Sequence, residues 1–240
     1  MRVRTRSISP AGTARLKSSS SSPTLRSQRV ARVLDKLQRL GEAEDPPAKE
    51  RVLRRERELG RRMWGAERAE AYAGAPLSIT PEVGELLCVL VLAWRPGTIV
   101  EFGASHGYST IHLAAGVRDV GSGRVITTEI EPSKAAAARR NLADAGLEDL
   151  VEMRVGDALT TLTDVDEVDL LFLDGWNNLY EPVVELLQLR LTPGALVIAD
   201  LSADDPDQFR YVERMHAPGS GYVTVDIPLD AGVVVSARLG

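Results

Sequence analysis

From residue 98 onward, short apolar runs alternate with stretches of helical spacing, and this alternation restricts the possible folds more than any other feature of the chain. The runs at 98–102, 124–129, 150–155, 168–173 and 194–200 read as strands, and short apolar ones such as "TIVEF", "RVITTE" and "DLLFLD" read as buried on both faces. Helical stretches separate them near 107–117, 132–145, 177–190 and 205–215. Strands buried on both faces and joined by helices pair in parallel, because a helical crossover returns the chain to the same end of the sheet. The C-terminal part differs: "GYVTVDIPL" and "AGVVVSARL" flank a turn at 230–232, which predicts an antiparallel hairpin closing the sheet.

Everything before residue 98 reads as helix. Val30, Val33, Leu34, Leu37 and Leu40 recur at helical steps, Gly41 is expected to stop that helix, and Pro46 and Pro47 to break the chain. A second, heavily charged helix is expected over 48–72, with Val52, Leu53, Leu59, Met63 and Trp64 as its few apolar contacts. So sparse a stripe suits a helix lying over a body or pairing with another subunit. Thr80 and Pro81 supply an N-cap and a first-turn proline for a third helix running to about Trp94. Residues 1–29 are rich in Arg and Ser without one acid, the composition of a disordered tail. An organelle transit peptide, a basic tether or a wrongly chosen upstream start would look the same. The expected organisation is a tail over 1–29, a helical cover over 30–80 and an α/β domain over 81–240.

The net charge of −5, with no basic stripe interleaved with aromatics, argues against a nucleic-acid partner and for a small molecule. The apolar run "VGELLCVLVLAW" falls short of the roughly 20 residues that span a bilayer, so no membrane partner is expected. Cys88, the one cysteine, lies inside that run and reads as a small core residue of a cytoplasmic, reducing setting.

The stretch "VEFGASHGYST" (100–110) has two readings. Gly103, Ser105 and Gly107 spell the G-x-S-x-G of a serine hydrolase, and Ser105, Asp200 and His216 stand in that fold's chain order. A hydrolase elbow, however, has several strands before it, and here none precede. The other reading is a nucleotide cradle: a strand, a glycine turn and a helix N-terminus leave backbone N–H groups free above the sheet. Glu129 ends the next strand, about twenty residues beyond the turn, where a carboxylate can accept both hydroxyls of a ribose. The dinucleotide pattern G-x-G-x-x-G is absent, which leaves an NAD-linked oxidoreductase as a runner-up only.

At these residues the chain resembles the class I S-adenosylmethionine-dependent methyltransferases, and within them the catechol-type and caffeoyl-CoA-type O-methyltransferases. "VEFGASHGYST", "VITTEIEPSKAAAARRNLADAGL", "VGDALTTL" and "LLFLDGWNNLYEPVVELLQLRLTPGALVIAD" stand in the family's order, covering about half the chain, from Leu77 to Asp200. The resemblance implies a Rossmann-like, seven-stranded, mostly parallel sheet with its last strand reversed. It also implies that Glu101, Gly103, Ala104, Ser105, Gly107 and Ser109 line the methionine end of S-adenosylmethionine, that Glu129 holds the ribose, and that Asp157 and Ala158 border the adenine. Asp174 would pair with the cationic end of the donor.

At the acceptor side the sequence departs from the pattern. The family's metal-dependent members hold a divalent ion with the aspartate matching Asp174 and an Asp-Asn pair, and carry a lysine three residues after the first aspartate. Here the pair is Asp200-Leu201 and the lysine position holds Asn177. Leucine has no oxygen to offer, so Mg²⁺ at Asp174 and Asp200 would be held weakly. The favoured expectation is a metal-independent methyltransferase that positions its acceptor with Asp174, Asn177 or His106. A domain that binds donor without turnover is the alternative. Trp64, Met63, Leu77, Ile79, Trp176 and Tyr180 are candidates for an apolar wall suited to a planar, aromatic acceptor, with core packing the competing reading. His112 is expected to pack and His216 to lie at a helix end or on the surface. Relatives of this kind are commonly dimers, so a homodimer is expected.

Overall fold

The computed structural model describes residues 22–203 and 205–240. Its helices are α1 (Gln28–Leu59), α2 (Gly65–Ala71), α3 (Pro81–Trp94), α4 (Tyr108–Val120), α5 (Pro132–Ala145), α6 (Ala158–Thr161), α7 (Tyr180–Leu187) and α8 (Phe209–His216). The strands are β1 (Thr98–Phe102), β2 (Arg124–Glu129), β3 (Val151–Val155), β4 (Val168–Leu173), β5 (Leu191–Asp200), β6 (Tyr222–Ile227) and β7 (Val233–Arg238). They form one seven-stranded sheet in the order β3-β2-β1-β4-β5-β7-β6. Pairing is parallel from β3 through β5, and β7 alone runs against its neighbours. The α/β class, the parallel body and the terminal hairpin expected from the sequence are all present.

Neighbouring residues of the central strands point to opposite faces, and each face is covered by helices. Ile99, Leu170 and Phe172 pack in one core with side chains of α1, α3, α4 and α5. Val100, Leu171 and Leu173 pack in a second core with α6, α7 and α8. A smaller third cluster, built on Ala48, Val52, Met63, Tyr72 and Ala75, joins α1 and α2 to Leu77 and Trp176. No helix among the described residues is long and apolar enough to cross a membrane.

Two expectations fail in the N-terminal third. Gly41 does not stop the first helix, and Pro46 and Pro47 do not break it: α1 runs 32 residues without interruption. Its buried stripe of Val30, Val33, Leu37, Gly41, Ala48 and Val52 continues across the prolines, so packing on both sides holds the helix together. Both prolines are exposed, as are Glu42 and Ala43, whose carbonyls would otherwise have accepted the missing N–H bonds. Water can satisfy those carbonyls. The helix ends instead at Gly60, in the left-handed region at φ 64°.

The second correction concerns the start of the chain, because residues 22–29 belong to the fold. Thr24 donates its backbone N–H and its hydroxyl to Asp119 (3.0 and 2.6 Å). Arg29 donates to the last carbonyls of α5, those of Ala143 and Asp144 (2.8 and 3.0 Å), where a cation also complements the helix dipole. The tail expected over residues 1–21 lies outside the described residues.

Helices α3 and α4 meet through glycine. A Cβ at Gly84 would stand 2.7 Å from the His112 ring, and one at Gly116 2.8 Å from Val91. His112 is buried there as expected, its Nδ1 2.9 Å from the Tyr108 carbonyl. Gly84→Ala should therefore destabilise the fold by about 1–3 kcal/mol through overpacking, despite the better helix propensity of alanine. Urea unfolding reads the effect as a lower midpoint; an unchanged midpoint would mean that the His112 ring can move aside. Cys88 is likewise core, its thiol pushed up to about 11 chiefly by burial.

Candidate active site

The chain leaves β1 toward β2 on one side and returns to β4 on the other, so the carboxyl ends of β1 and β4 form the switch point where open α/β sheets bind ligands. The two strand ends are close. Asp174 donates its N–H to the Phe102 carbonyl (2.9 Å), and a Cβ on Gly103 would lie 2.5 Å from the Asp174 carbonyl oxygen. Only glycine fits at 103, where φ is +99°.

Above this point lies a cavity of about 650 Å³. Its floor is made by Gly103 and Ser105 after β1, Thr128 to Ile130 at the end of β2, Gly156 to Ala158 after β3, Asp174 to Asn177 after β4, and Asp200 to Ala203 after β5. Its roof is the helical cover: Asp45, Lys49 and Leu53 from α1, Arg68 and Ala69 from α2 with Tyr72 at its end, and Leu77 to Ile79.

Of the residues expected around the donor, Gly103, Ser105, Glu129, Asp157, Ala158 and Asp174 line this cavity, whereas Ala104, Gly107 and Ser109 do not. Ala104 is spent on the sheet, donating its N–H to the Thr128 carbonyl (2.9 Å). Gly107, at φ 89°, is the N-cap of α4 and packs on Ala138. Glu101 is fully buried. Its Oε2 accepts from Thr110 and Thr127 (2.6 Å each), while Oε1 has no partner. Burial, above all, holds its carboxyl above the usual range.

Glu129 is the centre of the arrangement. One oxygen accepts the Ser105 N–H (2.7 Å) and the other the Glu131 N–H (2.9 Å), which fixes the carboxylate and leaves lone pairs for a ligand. Desolvation raises its pKa against those bonds. Ser105 is held in the left-handed region (φ 46°), its hydroxyl donating to the Pro76 carbonyl and accepting from Lys134 Nζ (3.2 Å). A serine so committed, with no histidine on it, is no nucleophile. His216, which the hydrolase reading requires, pairs instead with Asp226 (2.9 Å) at the surface.

His106 does not enter the cavity. The left-handed Ser105 before it and Gly107 after it turn the side chain toward the backbone of Ala73, where burial lowers its pKa. Asn177 does line the cavity, but its amide is already engaged: Nδ2 donates to Gln208 Oε1 (2.8 Å) and Oδ1 accepts from Ser202 (3.3 Å). The loops after β4 and β5 are thereby tied together. Asp157 caps α6 by accepting the Leu159 N–H (3.0 Å). On the acceptor wall, Leu77, Ile79 and Trp176 line the cavity; Met63 and Tyr180 are core, and Trp64 is half exposed with Arg62 stacked over its ring. Tyr180 lies too deep to reach a ligand, its hydroxyl donating to the Asp200 carbonyl (2.7 Å).

Asp174, Asp200 and, from the hairpin turn, Asp230 bring three carboxylates to one wall. Desolvation first and then mutual repulsion raise Asp174 well above the usual aspartate range, and burial with Asp230 nearby pushes Asp200 up to about 7. Asp200 Oδ1 has no hydrogen-bond partner. Even so, no three acidic, histidine or cysteine side chains among the described residues are arranged to hold a metal ion. Leu201 turns an apolar side chain onto Gly232. With Leu201 in place of an oxygen ligand, the donor set does not fit a full Mg²⁺ shell.

Sequence reasoning missed Lys134, Asp45, Arg68, Tyr72 and Asp230. Lys134 left a trace, since it falls on the buried stripe of α5 with Ala138 and Asn141. The others are brought in by the fold of the cover and the hairpin, which no local spacing reveals.

A doubly wound sheet with a glycine turn after its first strand and a cavity-facing acid at the end of its second defines a Rossmann-like domain. A family model described as "Methyltransferase domain" matches residues 100–200. The catechol O-methyltransferase of Niastella koreensis is 36% identical over 147 residues, which cover 58% of this chain and 64% of that protein. A putative O-methyltransferase of Mycobacterium sp. (strain JLS) is 31% identical over 178 residues, 67% of this chain and 79% of the relative. The crystal structure of an O-methyltransferase from Bacillus cereus, in complex with SAH, shares the fold at a TM-score of 0.61 and 23% identity, covering 84% of this chain and 99% of that one. The chain belongs to the class I O-methyltransferase family. It spans between about half and two thirds of the length of the curated catechol O-methyltransferases it matches.

Proposed function

We propose that this protein is an S-adenosylmethionine-dependent methyltransferase that transfers a methyl group to a hydroxyl of a small, planar acceptor without a metal ion. The observation that carries the reading is the Glu129 carboxylate, fixed by two backbone N–H groups and facing a cavity beside the 103–105 turn. In this reading Glu129 accepts the ribose hydroxyls, Asp157 and Ala158 border the base, and Asp174 faces the cationic end of the donor, with Glu101 buried behind the turn. The donor supplies a sulfonium methyl, and the chain has to hold an acceptor oxygen in line with it. Tyr72 and Trp176, with ring centroids 6.0 Å apart and planes tilted by 41°, give the acceptor an aromatic wall, and the Arg68 guanidinium covers Trp176 at 5.0 Å. Asn177, clamped by Gln208 and Ser202, orients the acceptor. Asp200, pushed up to about 7, takes its proton.

Metal independence rests on the same residues, because Leu201 and Asn177 replace an oxygen ligand and a lysine. The reading includes a homodimer in the cytoplasm. Leu53 and Trp64 are exposed apolar groups on and beside α1, available to a second copy, and the single thiol is buried.

Calorimetry with S-adenosylmethionine and S-adenosylhomocysteine is the first test, followed by labelled donor with a panel of phenols, with and without Mg²⁺ and chelator. Micromolar donor binding and chelator-insensitive product are expected. Absence of donor binding at millimolar levels would overturn the reading; product formed only with Mg²⁺ would overturn metal independence.

A further inference from the structure

Lys134 is a buried cation without an ion pair. It sits in the first turn of α5, 4% exposed, and its one hydrogen bond runs to the Ser105 hydroxyl at 3.2 Å. No carboxylate among the described residues lies within 4.0 Å of its ammonium. Burying an ammonium is costly unless its donors are used, and an ammonium has three of them. Two remain, on a side chain that lines the cavity. Burial lowers its pKa, and Glu129, Asp45, Glu131 and Asp174 oppose that from farther away. The ammonium thus has two unused donors and acids nearby that it does not touch, beside the turn at which the amino-acid end of a donor would lie.

A sulfonium nucleoside donor carries one anionic group, its α-carboxylate; the ammonium, the sulfonium and the ribose all suit acids instead. We propose that Lys134, held in place by its bond to the Ser105 hydroxyl, receives the amino-acid carboxylate of the donor. The assignment rests on the donor reading above and adds a direction to it. With the carboxylate on Lys134 and the ribose on Glu129, the sulfonium turns toward Asp174 and Asp200, where the acceptor must stand. Lys134 is then a cation that selects for the intact amino-acid tail, in a pocket otherwise dominated by acids. It lies beside Glu129 and Ser105 at the donor end, so it does not replace the lysine missing at Asn177.

The test compares S-adenosylmethionine with its decarboxylated form, which differs by the carboxylate alone. Wild-type protein should prefer the intact donor by about 10- to 100-fold, the usual worth of one charged hydrogen bond. In Lys134→Met that preference should vanish through loss of affinity for the intact donor, with the decarboxylated form binding as before; Lys134→Arg should keep part of the preference. Binding of the decarboxylated form by Lys134→Met also reports that the variant is folded. If both ligands weaken equally in Lys134→Met, or if wild-type protein binds the two alike, the assignment of Lys134 falls while the donor reading stands. If wild-type protein binds neither, the donor reading falls and takes this assignment with it.

Discussion

Replacing Glu129 with alanine is expected to weaken S-adenosylmethionine binding by about two orders of magnitude or more, the largest loss of affinity from any single change in the cavity. Two contributions add. A carboxylate that accepts from two ribose hydroxyls makes two charge-assisted hydrogen bonds, each worth about 1.5–3 kcal/mol. The same carboxylate holds the N–H groups of Ser105 and Glu131, which would be left unpartnered. Ser105 is in the left-handed region, a conformation that a non-glycine residue keeps only when its surroundings enforce it. Without Glu129 the 103–105 turn is free to relax out of the shape that lines the cavity. Glu129→Gln should lose less, about tenfold, since its amide oxygen still accepts one N–H. Calorimetry with S-adenosylhomocysteine measures both, and thermal unfolding without ligand checks that the proteins are folded. Unchanged affinity in Glu129→Ala would remove the observation on which the proposed function stands.

The sheet was legible in the sequence because its signal is local. Strands β1, β2 and β4 coincide with the apolar runs at 98–102, 124–129 and 168–173, and the hairpin followed from two alternating runs around a turn. Strand β5 starts earlier than expected, at Leu191, because Leu191 pairs with Val168 before a register shift, which the apolar pattern does not record. The cover was less legible. Proline and glycine inside α1 read as punctuation, yet the prolines face solvent and the buried stripe runs past them, so tertiary packing overrode propensity. Within the site, residues that follow strand ends, such as Gly103, Glu129 and Asp174, were found because strand ends can be read. His106 was misplaced because the handedness of a turn decides which way its residues face, and neither Ser105 nor Gly107 announces that from the sequence. Lys134 was overlooked because a lysine in a helix is ordinarily a solvated residue.

The acid wall that makes the site also makes the empty protein less stable than it could be, and Asp200→Asn should expose the cost. The folded pKa of Asp200, about 7, lies above the ordinary aspartate value of 3.8, so the folded state binds the proton more tightly than the unfolded chain. Below about pH 4 the group is protonated in both states and its stabilising contribution is full. That contribution is lost as pH rises through about 7, where the folded protein must carry the charge beside Asp230 and Asp174. At about 1.4 kcal/mol per unit of pKa, the upper limit of the loss by pH 8 is about 4 kcal/mol. Asparagine removes the charge and nearly keeps the shape. The variant should be more stable than wild type at pH 8 by about 2–4 kcal/mol and nearly equal to it at pH 4, as read by urea unfolding at both values. It should also turn over about 100- to 1,000-fold more slowly, because the acceptor's proton has lost its base. A variant that gained stability and kept its rate would leave the electrostatics intact but move the base elsewhere on the wall. One that lost stability at pH 8 would show that the Asp200 charge is compensated in the folded protein, contrary to the burial that raises it. The expected combination, a stabler protein and a slower enzyme, is the signature of a site whose acids are held against their own repulsion until a cationic donor arrives to relieve it.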